Sequence, residues 1–255
     1  EIKQGSRDAK GWLQAGMWPR KTEGIWDEVV EMLPHIEHFE FTGGEPFMIQ
    51  EHFDLLEKSV ELGHSKQQEI HYNTNGTQYP EYAIEHIWPH FKRVEIAFSI
   101  DDIRGRFEYQ RYGAKWNEVN ENIAKFNKVK KKCSNITTQV CCTINVQNIY
   151  NLDNMADWIR QQSFDYVYYN YLHEAKEWNV QYLPMHLKQT IKTKLESYNS
   201  NAWHKEQIQN AINFMMDNNF HNETMLQKRR LKIKMSDDFR SESFAETFPE
   251  LKELV

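Results

Sequence analysis

The sequence predicts an α/β fold on a parallel sheet, open or closed into a barrel, and three observations carry that prediction. Strand-like segments alternate with amphipathic helical segments from about residue 25 to residue 172, the pattern of right-handed βαβ units. From about Pro184 the alternation stops and helix-forming segments follow one another. A chain of 255 residues, 40% hydrophobic and 13% aromatic, can bury the core of one large domain with an appendage. The expected division is a barrel-like domain over 1–175 and a helical C-terminal extension over 176–255.

Each element has its own justification. After a loose opening, "GIWDEVVEML" is a short amphipathic helix stopped by Pro34, and "HFEFT" is a strand over 38–42. "QEHFDLLEKSVELG" places Phe53, Leu56 and Val60 at helical spacing and ends on Gly63. "EIHYNTNG" is a second strand closed by Asn-Gly turn chemistry. Pro80 opens a helix through about Trp88, and "RVEIAFSID" is the third strand. In "AKWNEVNENIAKFNKV" Trp116, Val119, Ile123 and Phe126 share one helical face. "ITTQVCCTINV", "NLDNMADWIRQQ" and "DYVYYNYL" give a fourth strand, a helix and a fifth strand. In the last, Tyr166, Tyr168 and Asn170 alternate with Val167, Tyr169 and Tyr171, which suits packing or the stacking of a substrate.

Composition excludes several functions. A formal charge of −6 from well-mixed acids and bases lacks the positive field that nucleic acid or an anionic membrane selects. The basic run "QKRRLKIK" over 227–234 is local; it reads as a solvated helix face, with phosphate or an acidic partner as the functional alternative. No apolar run approaches the roughly 18 residues of a membrane span, and no charged-then-apolar leader opens the chain, so a cytoplasmic protein is expected. Cys133, Cys141 and Cys142 form neither a disulfide framework nor a metal-ligand spacing, and His35 with His38, or His86 with His90, lacks a third ligand. No metal site is expected from them.

The chemistry-bearing residues fall at strand ends, where βα loops converge on ligands in parallel folds. The first strand ends in Thr42-Gly43-Gly44-Glu45-Pro46, the second in Asn73-Thr74-Asn75-Gly76, the third in Ser99-Ile100-Asp101-Asp102, and the fourth in Asn145. Gly43 and Gly44 let backbone approach a ligand, Glu45 supplies an acceptor for an ammonium, and Pro46 fixes the loop exit. Ser99 and Asp101 project to one side and suit a vicinal diol, while Arg111 offers a planar fork for a carboxylate. Acceptors for ammonium and diol beside a donor for carboxylate describe a site for an amino-acid nucleoside. Taken singly, each is also an ordinary feature of a βα connection.

The ordered set "FTGGEPF", "NTNGT", "VEIAFSIDD" and "RYGAKWNEVNENI", with "HLKQTI" and "DDFRSESFAETFPELKEL" at the end, resembles the radical S-adenosylmethionine superfamily, especially its twitch-domain members. The resemblance covers nearly the whole chain and implies a partial (βα)6 TIM-like barrel that binds S-adenosylmethionine. It would set residues 43–46 against the methionyl amino group and Ser99 with Asp101 against the ribose. Thr74, Asn75, Arg111 and Asn145 would line the same pocket, Arg111 taking the carboxylate.

The family also holds a [4Fe-4S] cluster in a Cys-x3-Cys-x2-Cys loop after its first barrel strand. No such motif precedes Gly43, and residues 1–37 contain no cysteine. Cys141 and Cys142 are adjacent on a strand and point to opposite faces. The expectation is a truncated or degenerate homologue, its first strand missing, unable to make the 5′-deoxyadenosyl radical as given. A cluster, and an electron donor to it, belong only to a longer form carrying the motif; with no cysteine in 143–255, no auxiliary cluster is expected. The complete form would abstract hydrogen from a peptide, sugar or small-molecule substrate. Two alternatives stay open: a cluster-free module binding a nucleoside or S-adenosylmethionine, and an unrelated TIM-like hydrolase using Glu45 and Asp101 as acid and base.

Overall fold

A computed structural model describes residues 25–199 and 201–255. The loose opening, and the missing first strand expected there, lie outside the described residues. Helix α1 (Ile25–Met32) runs into a short turn at Pro34 and then β1 (His38–Phe41). Helix α2 (Gln50–Glu61) leads to β2 (Glu69–Thr74). Gly63 stands at φ 80° just beyond α2, where an αL residue lets its N–H close on Val60 O.

β3 (Arg93–Ser99) is followed by α3 (Arg104–Gln110) and α4 (Trp116–Val129). β4 (Ile136–Ile144), α5 (Leu152–Gln161) and β5 (Tyr166–Tyr171) complete the alternation. The helix expected from Pro80 is instead a five-residue π-helical turn, Ala83–Ile87, continued by a 3-10 turn at Trp88–His90. Pro89 sits in that second turn, and having no N–H to donate it cannot continue an α-helical ladder.

The five strands form one sheet in the order β1-β2-β3-β4-β5, every neighbouring pair parallel. Because each strand pairs with the next in sequence, right-handed crossovers put all the connecting helices on one face. Burial agrees. Ile70, Tyr72, Val94, Ile96, Phe98 and Val140 are at most 1% exposed and pack with Leu56, Trp88, Ile123 and Phe126 from the connections.

The alternate residues, among them His71, Asn73, Glu95, Gln139, Cys141 and Thr143, are half-exposed, and Glu40, Tyr166, Tyr168 and Asn170 are exposed. Ala97 is the exception. It is wholly buried on this otherwise wet face.

Beyond β5 come α6 (Met185–Glu196), α7 (Ala202–Asp217), α8 (Glu223–Arg240) and α9 (Phe244–Thr247). Their core is continuous with the sheet region: Ile144, Ile149 and Leu152 pack with Val180, Ile191 and Phe248, across the division expected near residue 175. Buried charges fix the extension. Lys188 Nζ donates to Gln181 O at 2.8 Å and Asn218 O at 2.6 Å, and burial pulls its pKa down to about 8.

Arg229 Nε donates to Glu177 O at 2.6 Å, while Lys228 and Lys232 flank the Glu177 carboxylate. Much of the basic run expected to be a solvated face therefore ties α8 to the segment after β5. The reason is tertiary: Glu177, itself 1% exposed, needs compensating charge. Among the described residues, no helix is long and apolar enough to cross a membrane.

Candidate functional site

Gly43 and Gly44 follow β1 with φ of 81° and 57°, two successive left-handed residues. No heavy atom lies within 4 Å of where a Cβ would stand on either, so the constraint is the backbone turn and the space above it is free. By contrast Gly76, at φ 77° after β2, is needed for packing: a Cβ there would meet Val119 Cγ1 at 3.0 Å and Phe98 Cδ1 at 3.3 Å.

Glu45 is buried, and its carboxylate joins two strand ends. Oε1 accepts from Thr74 Oγ1 at 2.7 Å and Phe47 N at 3.3 Å, and Oε2 accepts from Asn75 N at 2.9 Å. The acceptor expected to face an ammonium is thus engaged internally, while Thr42, Gly43 and Gly44 before it are exposed. Pro46 is buried and opens the turn Pro46–Met48. The Asn75 side chain accepts from Thr77 N at 2.9 Å and Thr77 Oγ1 at 2.6 Å, closing the β2 loop.

Asp101 lies past the end of β3. Its Oδ2 pairs with Arg111 Nη2 at 2.6 Å and its Oδ1 accepts from Thr143 N of β4 at 2.9 Å. Arg111 is therefore brought to Asp101, and its Nε is buried without a partner among the described residues. Ser99, half-exposed, pairs in register with Cys141, and its hydroxyl holds no hydrogen bond to a described residue. Asn145 belongs to a turn: it is buried, its Oδ1 accepts from Gln147 N at 2.8 Å and its Nδ2 donates to Thr143 O at 3.1 Å.

Two groups that the sequence did not single out complete the arrangement. Asn148, 2% exposed, donates to both Asp101 O and Thr143 O at 2.8 Å, fixing the turn after β4 against the β3 loop. Asp102 is wholly buried. Its Oδ1 accepts from Asn151 Nδ2 at 2.6 Å and Ile103 N at 2.8 Å, its Oδ2 has no partner among the described residues, and burial pushes its pKa up to about 7. Nearby, Arg106 forms a bidentate pair with Glu250 of the extension at 2.7 and 2.9 Å.

A cavity of about 630 Å³ lined by Arg104, Arg106, Trp116, Asn151, Trp158 and Thr247 lies beside this loop and contains none of the ten expected residues. Of those ten, Glu45, Pro46, Thr74 and Asn145 are buried, and Gly43, Gly44, Asn75, Ser99, Asp101 and Arg111 keep some exposure at or beyond the strand ends. The geometry suits backbone and hydroxyl contacts to a polar ligand: free space over Gly43-Gly44, the unpartnered Ser99 hydroxyl, and an Asp101–Arg111 pair with lone pairs and donors remaining.

It does not suit an acid–base pair, because Glu45 and Asp101 are each held by separate internal donors. Nor do the thiols fit a cluster. Cys141 is on the open face, Cys142 is buried on the other, and burial pushes both thiols up, disfavouring thiolate. Among the described residues, no three His, Cys, Asp or Glu side chains group as a metal site. Compared with known proteins, the chain matches no family model and no curated protein.

Proposed function

We propose that this protein binds an amino-acid nucleoside of the S-adenosylmethionine type across the C-terminal ends of β1 to β4, as a homologue of the radical S-adenosylmethionine enzymes, twitch-like. The observation that carries the reading is the left-handed pair Gly43-Gly44 after β1, open above, with Ser99 and the Asp101–Arg111 pair at the end of β3, two strands along the same sheet edge. Strands in a sheet are about 4.8 Å apart, so these groups span the length of a nucleoside with an amino-acid tail. The sequential parallel order supports reading the sheet as part of a (βα)6 barrel.

In this reading Gly43 and Gly44 carbonyls take the amino group, Ser99 and Asp101 the ribose hydroxyls, and the remaining Arg111 donors the carboxylate. Thiolates that could hold a [4Fe-4S] cluster are not assembled by the described residues, so we confine the proposal to binding, the function of a cluster-free module. A substrate, small molecule or peptide, and an electron donor belong to a cluster-bearing form. Three unpaired cysteines fit a reducing, cytoplasmic setting.

Calorimetric titration with S-adenosylmethionine tests this. Binding should be measurable and weakened roughly tenfold, about 1.4 kcal/mol, by Ser99→Ala or Gly44→Val. No heat of binding at roughly 1 mM ligand, about −4 kcal/mol of affinity, overturns it.

A further inference from the structure

Helix α8 buries one side and leaves an apolar row bare on the other. Arg229 and Ile233 are buried against the rest of the extension. Leu231, Met235 and Phe239 are 60%, 61% and 82% exposed. Spaced four residues apart, they form a single row roughly 12 Å long down the helix. Three large apolar side chains contiguous in water mark an interaction surface. A cavity of about 480 Å³ lined by Leu231, Lys234, Asp238, Ala245 and Val255 lies beside the row and widens it.

Charge along the row selects the occupant. On one edge Lys232, like Lys228 before it, is already engaged by Glu177. On the other edge Lys234 and Asp238 are exposed, and neither pairs with a described residue or with the other. A partner that complements this edge carries an anion where α8 has Lys234 and a cation where it has Asp238. A second copy of α8, running the opposite way, does both.

Reversal about Met235 sets Leu231 of one copy against Phe239 of the other. Lys234 lies one residue before Met235 and Asp238 three after it, so each stands roughly 3 Å along the axis from its opposite charge on the second copy. The two-fold relation keeps like edges together, so both ion pairs form at once. A parallel pair would instead join unlike edges, bringing Lys234 of one copy toward Lys232 of the other, and would align the two helix dipoles.

We propose that α8 is the interface of a homodimer, two copies packed antiparallel about Met235 through Leu231, Met235 and Phe239, with Lys234 of each paired to Asp238 of the other. None of these residues belongs to the cofactor reading and the test contains no ligand, so either can fail alone.

The test is sedimentation equilibrium on the full chain over roughly 1–100 µM, the range in which an interface this small dissociates. The weight-average mass should rise with concentration from the monomer's 30.7 kDa toward twice that value. Met235→Glu should give monomer at every concentration, because it sets two carboxylates together at the two-fold axis. Lys234→Glu or Asp238→Lys alone should weaken association roughly tenfold, about 1.4 kcal/mol over the two symmetric pairs, and the two substitutions together should restore it. All three positions are exposed, and unchanged near-ultraviolet circular dichroism from the buried Trp88 confirms that each variant is folded. The proposal is overturned by a mass of 30.7 kDa throughout, as a different occupant of the row would give, by association that survives Met235→Glu, or by a double variant no better than its singles.

Discussion

The two faces of one sheet are built from the same five strands, yet they obey different rules. On the helix-covered face a side chain is valued for its volume, since Tyr72, Val94, Ile96, Phe98 and Val140 are all wholly buried. On the open face it is valued for its polar atoms, and neighbours such as His71, Glu95 and Arg93 satisfy one another. Alternation of side chains along a strand makes this possible without any change in backbone. Apolar packing and polar pairing are thereby assigned to opposite sides of the same peptide planes.

Substitutions can break that comparison, beginning with the largest effect. Phe98, in ring contact with Phe126 at 5.3 Å and Phe164 at 6.1 Å, should cost about 3–5 kcal/mol on truncation to alanine, read by urea denaturation. A cost below about 1 kcal/mol would mean that the helices do not pack as described.

Buried titratable groups give the next effect. His52 sits against Phe41, Phe53 and Tyr72, and burial lowers its pKa to about 4 from 6.5. The unfolded chain takes up that proton first, so stability present above pH 6.5 is lost toward pH 4, by on the order of 3 kcal/mol. Asp102 has the opposite sign: its pKa is raised from 3.8 to about 7, so its contribution is full below pH 4 and lost as pH rises through 7, on a similar scale of about 3 kcal/mol. His52→Phe should flatten the acid side of the stability profile and Asp102→Asn the alkaline side. Profiles unchanged by either variant would refute these assignments.

Smaller effects sharpen the comparison at the strand ends. Glu45→Gln removes the charge from the acceptor of Thr74 and Asn75 and should cost about 1–3 kcal/mol in thermal or urea unfolding. Gly44→Ala, at φ 57° with free space around it, should cost only about 1 kcal/mol, all of it backbone strain. Gln139→Ala on the open face should stay within about 0.5 kcal/mol; a larger loss would show the open face to be structural.

Much of this was legible in the sequence, because periods of two and of about 3.6 residues are imposed by whichever side is buried. "DYVYYNYL" separates its two faces by simple alternation, and Trp116, Val119, Ile123 and Phe126 all turn inward as their spacing requires. Helix α3 was not legible, since seven residues containing Gly105 carry too little periodicity. Asp101 was picked out and its neighbour Asp102 was not, because what buries Asp102 includes Asn151, supplied 49 residues later. Glu45 was read as a ligand acceptor because no local pattern reveals that Thr74, 29 residues on, would bring its hydroxyl to that carboxylate.

The Arg106–Glu250 pair has a consequence in time as well as in space. Its partners are 144 residues apart, so at a synthesis rate of roughly 5–20 residues per second on the order of ten seconds separate their emergence. In that interval β4 and β5 are made and can pair onto β1 to β3, which precede Arg106. The loop that carries Asp101 can by then be held by Arg111, Thr143 and Asn148, and it is helix α3, which carries Arg106, that waits for its distant counter-charge.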